Sequence, residues 1–304
     1  MKKIILAALA LALPGMSVAA PYLPTYGSPN SLQFTAGSLA LDMDDIQPEG
    51  EERMMPAGDS DTIGVTGTYW GVTGQQGQRY DLRYQHARRI GEGSRARLVI
   101  DTPINILHSG PDKVIGEKSG STALLGTVSV GVELPVKSNW LITPRVSYGF
   151  ASAPAFFGGN GEIITGSISS RYKLPQVGRG DLVIGNMVAY TKTIDLLLSK
   201  SFFAKVDNFV FRNGLAYQLP LKSRMFGRQA SIRGSYVFTI ATKDPLSYEQ
   251  THEVGLNVGV RTREAEQKNS FEQLRIGLLY THSKNEFVKN FDYDALTLTL
   301  GYRF

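Results

Sequence analysis

Nine arginines, Arg83, Arg97, Arg145, Arg171, Arg212, Arg233, Arg261, Arg275 and Arg303, recur on the polar side of stretches in which apolar and polar residues alternate. A guanidinium stays charged at any physiological pH and donates in a planar fork, so it suits two jobs. It can lock carboxylates into a salt-bridge network, or it can line a passage and favour anions, as rings of Arg or Lys do in pores. Acids on the same side are fewer: Asp81, Asp101 and Glu133. The network is the plainer reading and the anion-favouring constriction the sharper one.

Other chemistries find little support. The chain has no cysteine, which removes disulfides, thiolate metal sites and Cys nucleophiles. A His and a Ser that share a face of one strand must be two apart, because adjacent residues point to opposite faces. His86, His108, His252 and His282 lie in YQHARR, NILHSG, EQTHEV and YTHSKN, and none has that spacing. Asp42, Asp44 and Asp45 lack the Gly and closing Glu of an EF-hand loop, and GGNGE (158–162) is not a phosphate loop. No catalytic residue, metal site or cofactor is expected.

The elements that would position the arginines are strands. From about residue 61, runs of ten to fourteen residues alternate in polarity and end in turns. Twelve such runs cover about 61–73, 78–90, 94–107, 122–134, 139–151, 162–174, 181–193, 207–219, 228–241, 251–262, 271–283 and 293–304. In NWLITPRVSYGF, Trp140, Ile142, Val146, Tyr148 and Phe150 oppose Leu141, Thr143, Arg145, Ser147 and Gly149. The runs 61–73 and 181–193 alternate less cleanly. Connections also alternate, with longer ones near 108–121, 152–161, 194–206, 242–250 and 284–292 and generally shorter ones near 91–93, 135–138, 175–180, 220–227 and 263–270. The loop at 74–77 is short on the long side. VELP (132–135), YKLP (172–175) and YQLP (217–220) are expected to end strands at the short-turn side, since proline cannot donate to a ladder. In the long loops, Phe202 and Phe203 read as interfacial girdle residues, and Phe156 and Phe157 could serve that role or bind a ligand.

The N-terminus differs. MKKIILAALALALPGMSVAA has a basic start, a short apolar core and small residues before a cleavage point after Ala19. That is the pattern of a secretory signal peptide over residues 1–19. Residues 20–60 hold an acidic run, with Asp42, Asp44, Asp45, Glu49, Glu51 and Glu52 followed by Arg53. Residues 54–304 carry 29 basic against 21 acidic side chains, or +8. An acidic segment thus precedes a basic body. It is read as periplasmic or inserted in a lumen, where it could dock against the arginines; a solvated linker is the alternative.

The chain ends LTLTLGYRF. Leu296, Leu298, Leu300, Tyr302 and Phe304 share one face, opposite Thr297, Thr299, Gly301 and Arg303. A bilayer offers no water to unpaired backbone groups, so a sheet that crosses one must close on itself, and strands of this length suffice. A last strand with this pattern, ending on Phe304, resembles the C-terminal assembly signal of Gram-negative outer-membrane β-barrel proteins. Twelve strands after a preceding segment resemble the barrel unit of autotransporters, without a large passenger. The resemblance covers about 61–304. It implies an all-β, antiparallel, up-and-down transmembrane barrel in the bacterial outer membrane. The expected count is twelve strands; fourteen is the alternative. The expected partners are outer-membrane lipid and lipopolysaccharide, the barrel-assembly machinery during biogenesis, and small anions in a basic lumen. Nucleic acid is not expected, and the barrel is expected to be a monomer. The leading functional expectation is a small passive pore or structural barrel. A barrel that anchors or translocates its own N-terminal segment, or binds a surface partner through its loops, comes second. An outer-membrane esterase or lipase comes third.

Overall fold

The computed structural model describes residues 59–72, 75–91, 94–110, 121–153, 159–194, 207–222, 224–225, 227–242, 250–261, 274–284 and 293–303. The signal peptide, the acidic run 42–52, the aromatic residues Phe156, Phe157, Phe202 and Phe203, and Phe304 lie outside these residues.

Twelve strands form: β1 (Ser60–Val72), β2 (Gln75–Arg89), β3 (Arg97–Ser109), β4 (Ser121–Lys137), β5 (Trp140–Ala153), β6 (Gly159–Val177), β7 (Gly180–Ile194), β8 (Asp207–Pro220), β9 (Ala230–Thr242), β10 (Gln250–Val260), β11 (Leu274–Lys284) and β12 (Tyr293–Arg303). Each pairs antiparallel with its sequence neighbours, and β1 pairs with β12 to close the barrel. The seam runs from Thr62↔Arg303 to Val72↔Tyr293, with Leu296, Leu298 and Leu300 opposite Tyr69, Gly67 and Val65. Closure leaves no sheet edge, so every strand finds a ladder partner on both sides.

The polarity is inverted relative to a water-soluble protein. Leu296, Leu298 and Leu300 are 53%, 52% and 47% exposed, and Val146, Ile168, Leu256 and Ile276 are exposed on other strands. Buried side chains are predominantly polar or charged, among them Arg97, Glu133, Lys173, Thr191 and Arg212. Period-two alternation sends the apolar set outward and the polar set into the lumen. A β-sandwich would turn its apolar face onto a second sheet; here there is one closed sheet and that face is bare.

The twelve alternating runs correspond one to one with the twelve strands. The untidy run at 181–193 has a physical cause. In β7 both faces are partly apolar, because inward Ala189 packs on inward Val210 of β8, each 1% exposed. In β1, Trp70 points inward, is 1% exposed and stacks on Tyr293 with ring centroids 6.3 Å apart. Its cross-strand partner is Gly77, where a Cβ would fall 2.1 Å from the indole ring. Only glycine leaves room there.

Two expectations need correction. The prolines do not all end strands. Pro135 and Pro175 lie inside β4 and β6, and the register shifts between Pro135 and Lys137 and between Leu174 and Val177. The missing donor is absorbed by an irregularity and the ladder resumes. Only Pro220 closes its strand. The supposedly short connections also divide. Turns at 138–139 and 178–179 are tight, whereas 221–229 and 261–273 are as long as many on the opposite end.

Candidate functional site: a basic lumen

The end of the barrel that bears Ser60 and Arg303 also carries the connections after β2, β4, β6, β8 and β10. Strand parity places Arg83, Arg97, Arg145, Arg171, Arg212, Arg233, Arg261 and Arg275 on the inward face. The side chain of Arg303, like that of Tyr302, lies outside the described set. Arg79 and Lys173 join the inward group. They were legible by parity, being two or four residues from Arg83 and Arg171. Inward acids are Asp81, Asp101 and Glu133, as expected, together with Asp181 and Glu253.

On the β2–β7 wall these groups form a network. Arg83 grips Asp101 in a two-pronged bond, Nε to Oδ1 at 2.7 Å and Nη2 to Oδ2 at 2.8 Å. Arg145 approaches the same carboxylate at 3.7 Å. Glu133 accepts from Arg97 through Nε at 2.8 Å and Nη2 at 2.5 Å, and from Arg171 through Nη2 at 2.7 Å. Lys173 pairs with Asp181 at 3.1 Å, and Arg79 with Asp81 at 3.0 Å. Asp81 also accepts from Thr66 Oγ1 at 2.5 Å. The expected salt-bridge network is therefore present.

The β8–β11 wall is different. Arg212 donates to Glu253 at 2.5 Å. Beyond that pair, Arg233 donates to Gln218 Oε1 at 2.7 Å and Arg261 to Gln229 Oε1 at 2.9 Å. Arg275 lies on the same wall. Counted over the described lumen, ten cations (Arg79, Arg83, Arg97, Arg145, Arg171, Lys173, Arg212, Arg233, Arg261, Arg275) face five acids (Asp81, Asp101, Glu133, Asp181, Glu253). Arg97, Arg212 and Arg233 are 0%, 1% and 2% exposed, so water reaches little of these three guanidiniums. A pocket of about 220 Å³ opens beside Arg261 at the end carrying the termini, edged by Gln176, Arg179, Asp181, Gln218 and Gln229.

The histidines lie outward, near strand ends. His86 Nδ1 meets Asp61 at 2.7 Å, His282 Nδ1 meets Asp294 at 3.0 Å, His252 Nδ1 meets Tyr236 Oη at 2.8 Å and His108 Nδ1 meets Thr122 Oγ1 at 3.1 Å. Two are His–carboxylate pairs. The same-face residues beside them are Tyr84 and Arg88, and Tyr280 and Lys284, which supply no serine. Among the described residues no group of three or more His, Cys, Asp or Glu could hold a metal ion.

No protein-family model matches the chain, and no curated protein matches it in sequence. Solved structures do match in shape. The β domain of the Bordetella autotransporter Brka aligns with a TM-score of 0.52 at 10% identity, over 81% of this chain and 98% of that one. The translocator domain of the autotransporter NalP from Neisseria meningitidis gives 0.49 at 13%, over 80% and 87%. The transport unit of AIDA-I from Escherichia coli gives 0.45 at 12%, over 88% and 97%. The fold of this chain is a closed, antiparallel twelve-strand barrel, similar in shape to the Brka β domain.

Proposed function

We propose that the protein is an outer-membrane barrel whose basic lumen is stoppered by its own acidic N-terminal segment, and that it admits small anions when that segment is withdrawn. The apolar exterior fits a bilayer, and the fold fits the outer membrane. The observation that carries the stopper is the composition of the inward face, where, among the described residues, ten cationic side chains stand with five acids. Removing like charges from water costs several kcal/mol per ion unless opposite charges meet them. Residues 42–53 carry six acids and one arginine, a net of −5. They precede β1 by only a few residues, and β1 begins at the end of the lumen where Arg233 and Arg261 lie. Coulomb attraction in a medium of lowered dielectric then favours entry of this segment. Filling the lumen in this way gives a closed resting state, with the carboxylates screening the arginines that would otherwise favour anions.

Trypsin supplies the test. Arg53 is the one basic residue between positions 20 and 58, so it offers a single cleavage site. In the folded, membrane-inserted protein, cleavage after Arg53 is expected to be slow. It should accelerate about tenfold or more when the six acids are changed to Asn or Gln, because docking then loses its charge partners. Equal cleavage rates in the two proteins would refute docking by charge.

A further inference from the structure

We propose that the β7–β8 face of the barrel is a dimer interface within the membrane, where two copies of this chain meet through Asn186 and Asn213. The proposal rests on the exterior facing lipid. Asn186 and Asn213 are directly opposite each other on adjacent strands, and both are exposed on the outward face. Asn213 stands four residues from Phe209 on one side and four from Tyr217 on the other, about 10 Å of depth each way on a tilted strand. That is the middle of an apolar band about 25 Å tall. Asn186 lies between Ile184 and Val188.

Elsewhere, outward polar groups at intermediate depth are satisfied. Ser170 accepts from Trp140 Nε1 at 2.9 Å, and Thr102 donates to the Tyr84 carbonyl at 3.3 Å. Neither asparagine amide makes a hydrogen bond within the described residues. A carboxamide offers two donors and an acceptor with two lone pairs, so a bond between the two asparagines would still leave most of that capacity facing hydrocarbon. Polar side chains at this depth are costly and find partners in protein.

The chemistry selects a second copy as the occupant. Two identical barrels inserted in the same direction are related by a two-fold axis along the membrane normal, which preserves depth. Each mid-depth amide therefore meets a mid-depth amide, and a carboxamide is complementary to itself, as an isologous interface requires. This sets a dimer against the monomer expected from sequence.

The absence of cysteine makes the test direct. Single cysteines at Val188, beside the patch, and at Val65, on β1, are introduced into the full chain. Each protein is inserted in vesicles and insertion is verified by protease protection. Oxidative crosslinking is then followed as lipid dilutes the protein. The proposal expects the Val188→Cys protein to form disulfide dimers about tenfold more readily than Val65→Cys at high dilution, with the difference lost on adding Asn186→Leu and Asn213→Leu. Equal crosslinking at the two sites, crosslinking only to a foreign protein, or a patch dimer indifferent to both leucines overturns it. Failure to insert is read separately and would count against the membrane assignment. The Val65 comparison needs no asparagine variant, so it stands even where the leucine protein does not fold.

Discussion

Replacing Glu133 with leucine is expected to destabilise the barrel by about 3–5 kcal/mol, the usual consequence of stripping one partner from a buried ion pair. Glu133 is 1% exposed and takes three bonds from Arg97 and Arg171. Its removal takes away the carboxylate that these two guanidiniums share, in a lumen richer in cations than in acids. Equilibrium urea unfolding from lipid vesicles would read the loss. The same reasoning predicts a recovery. When Arg97, Glu133 and Arg171 are all replaced by leucine, no charge is stranded, and much of the lost stability should return. A triple variant as unstable as the single one would mean that packing around these side chains, rather than charge, holds this wall together.

The second large effect concerns the exterior. Leu298→Arg is expected to cost about 2–4 kcal/mol, because it puts a charge at the middle of the lipid-facing band. Leu298 is 52% exposed and lies between Gly67 and Leu278. On a water-soluble barrel the same change would be worth less than about 0.5 kcal/mol either way, since exposed substitutions usually are. Leu296→Arg, one alternation nearer the rim, should cost less because the side chain can snorkel. The ordering of the two variants in vesicle unfolding separates a bilayer from water as the surrounding solvent.

Much of the fold was legible because a barrel wall is governed by one period. Leu296, Leu298 and Leu300 against Thr297 and Thr299 gave both faces of β12, and the seam with β1 follows from the need to close the sheet. The lumenal arginines were legible for the same reason: parity alone separates Arg233 from Ile232. Features requiring knowledge of the neighbouring strand were not. Glu253 was missed as an inward acid because it sits at the end of its strand beside the outward His252, and Arg212, which binds it, is 41 positions away in sequence. Asn186 and Asn213 look unremarkable in isolation; only the β7–β8 register makes them a pair. Pro135 and Pro175 misled because local chemistry says that the ladder stops there, whereas the closed sheet carries it past each irregularity.

Ion conduction tests the central claim most directly. The mature barrel and a form lacking residues 20–58 would be compared in planar bilayers, with reversal potentials recorded across a KCl gradient. The stoppered basic lumen predicts little current from the full mature chain, and a larger, anion-selective current after deletion. That selectivity should weaken when Arg233 and Arg261 are changed to glutamine. Identical traces from the two forms, or a cation-selective current after deletion, would contradict it.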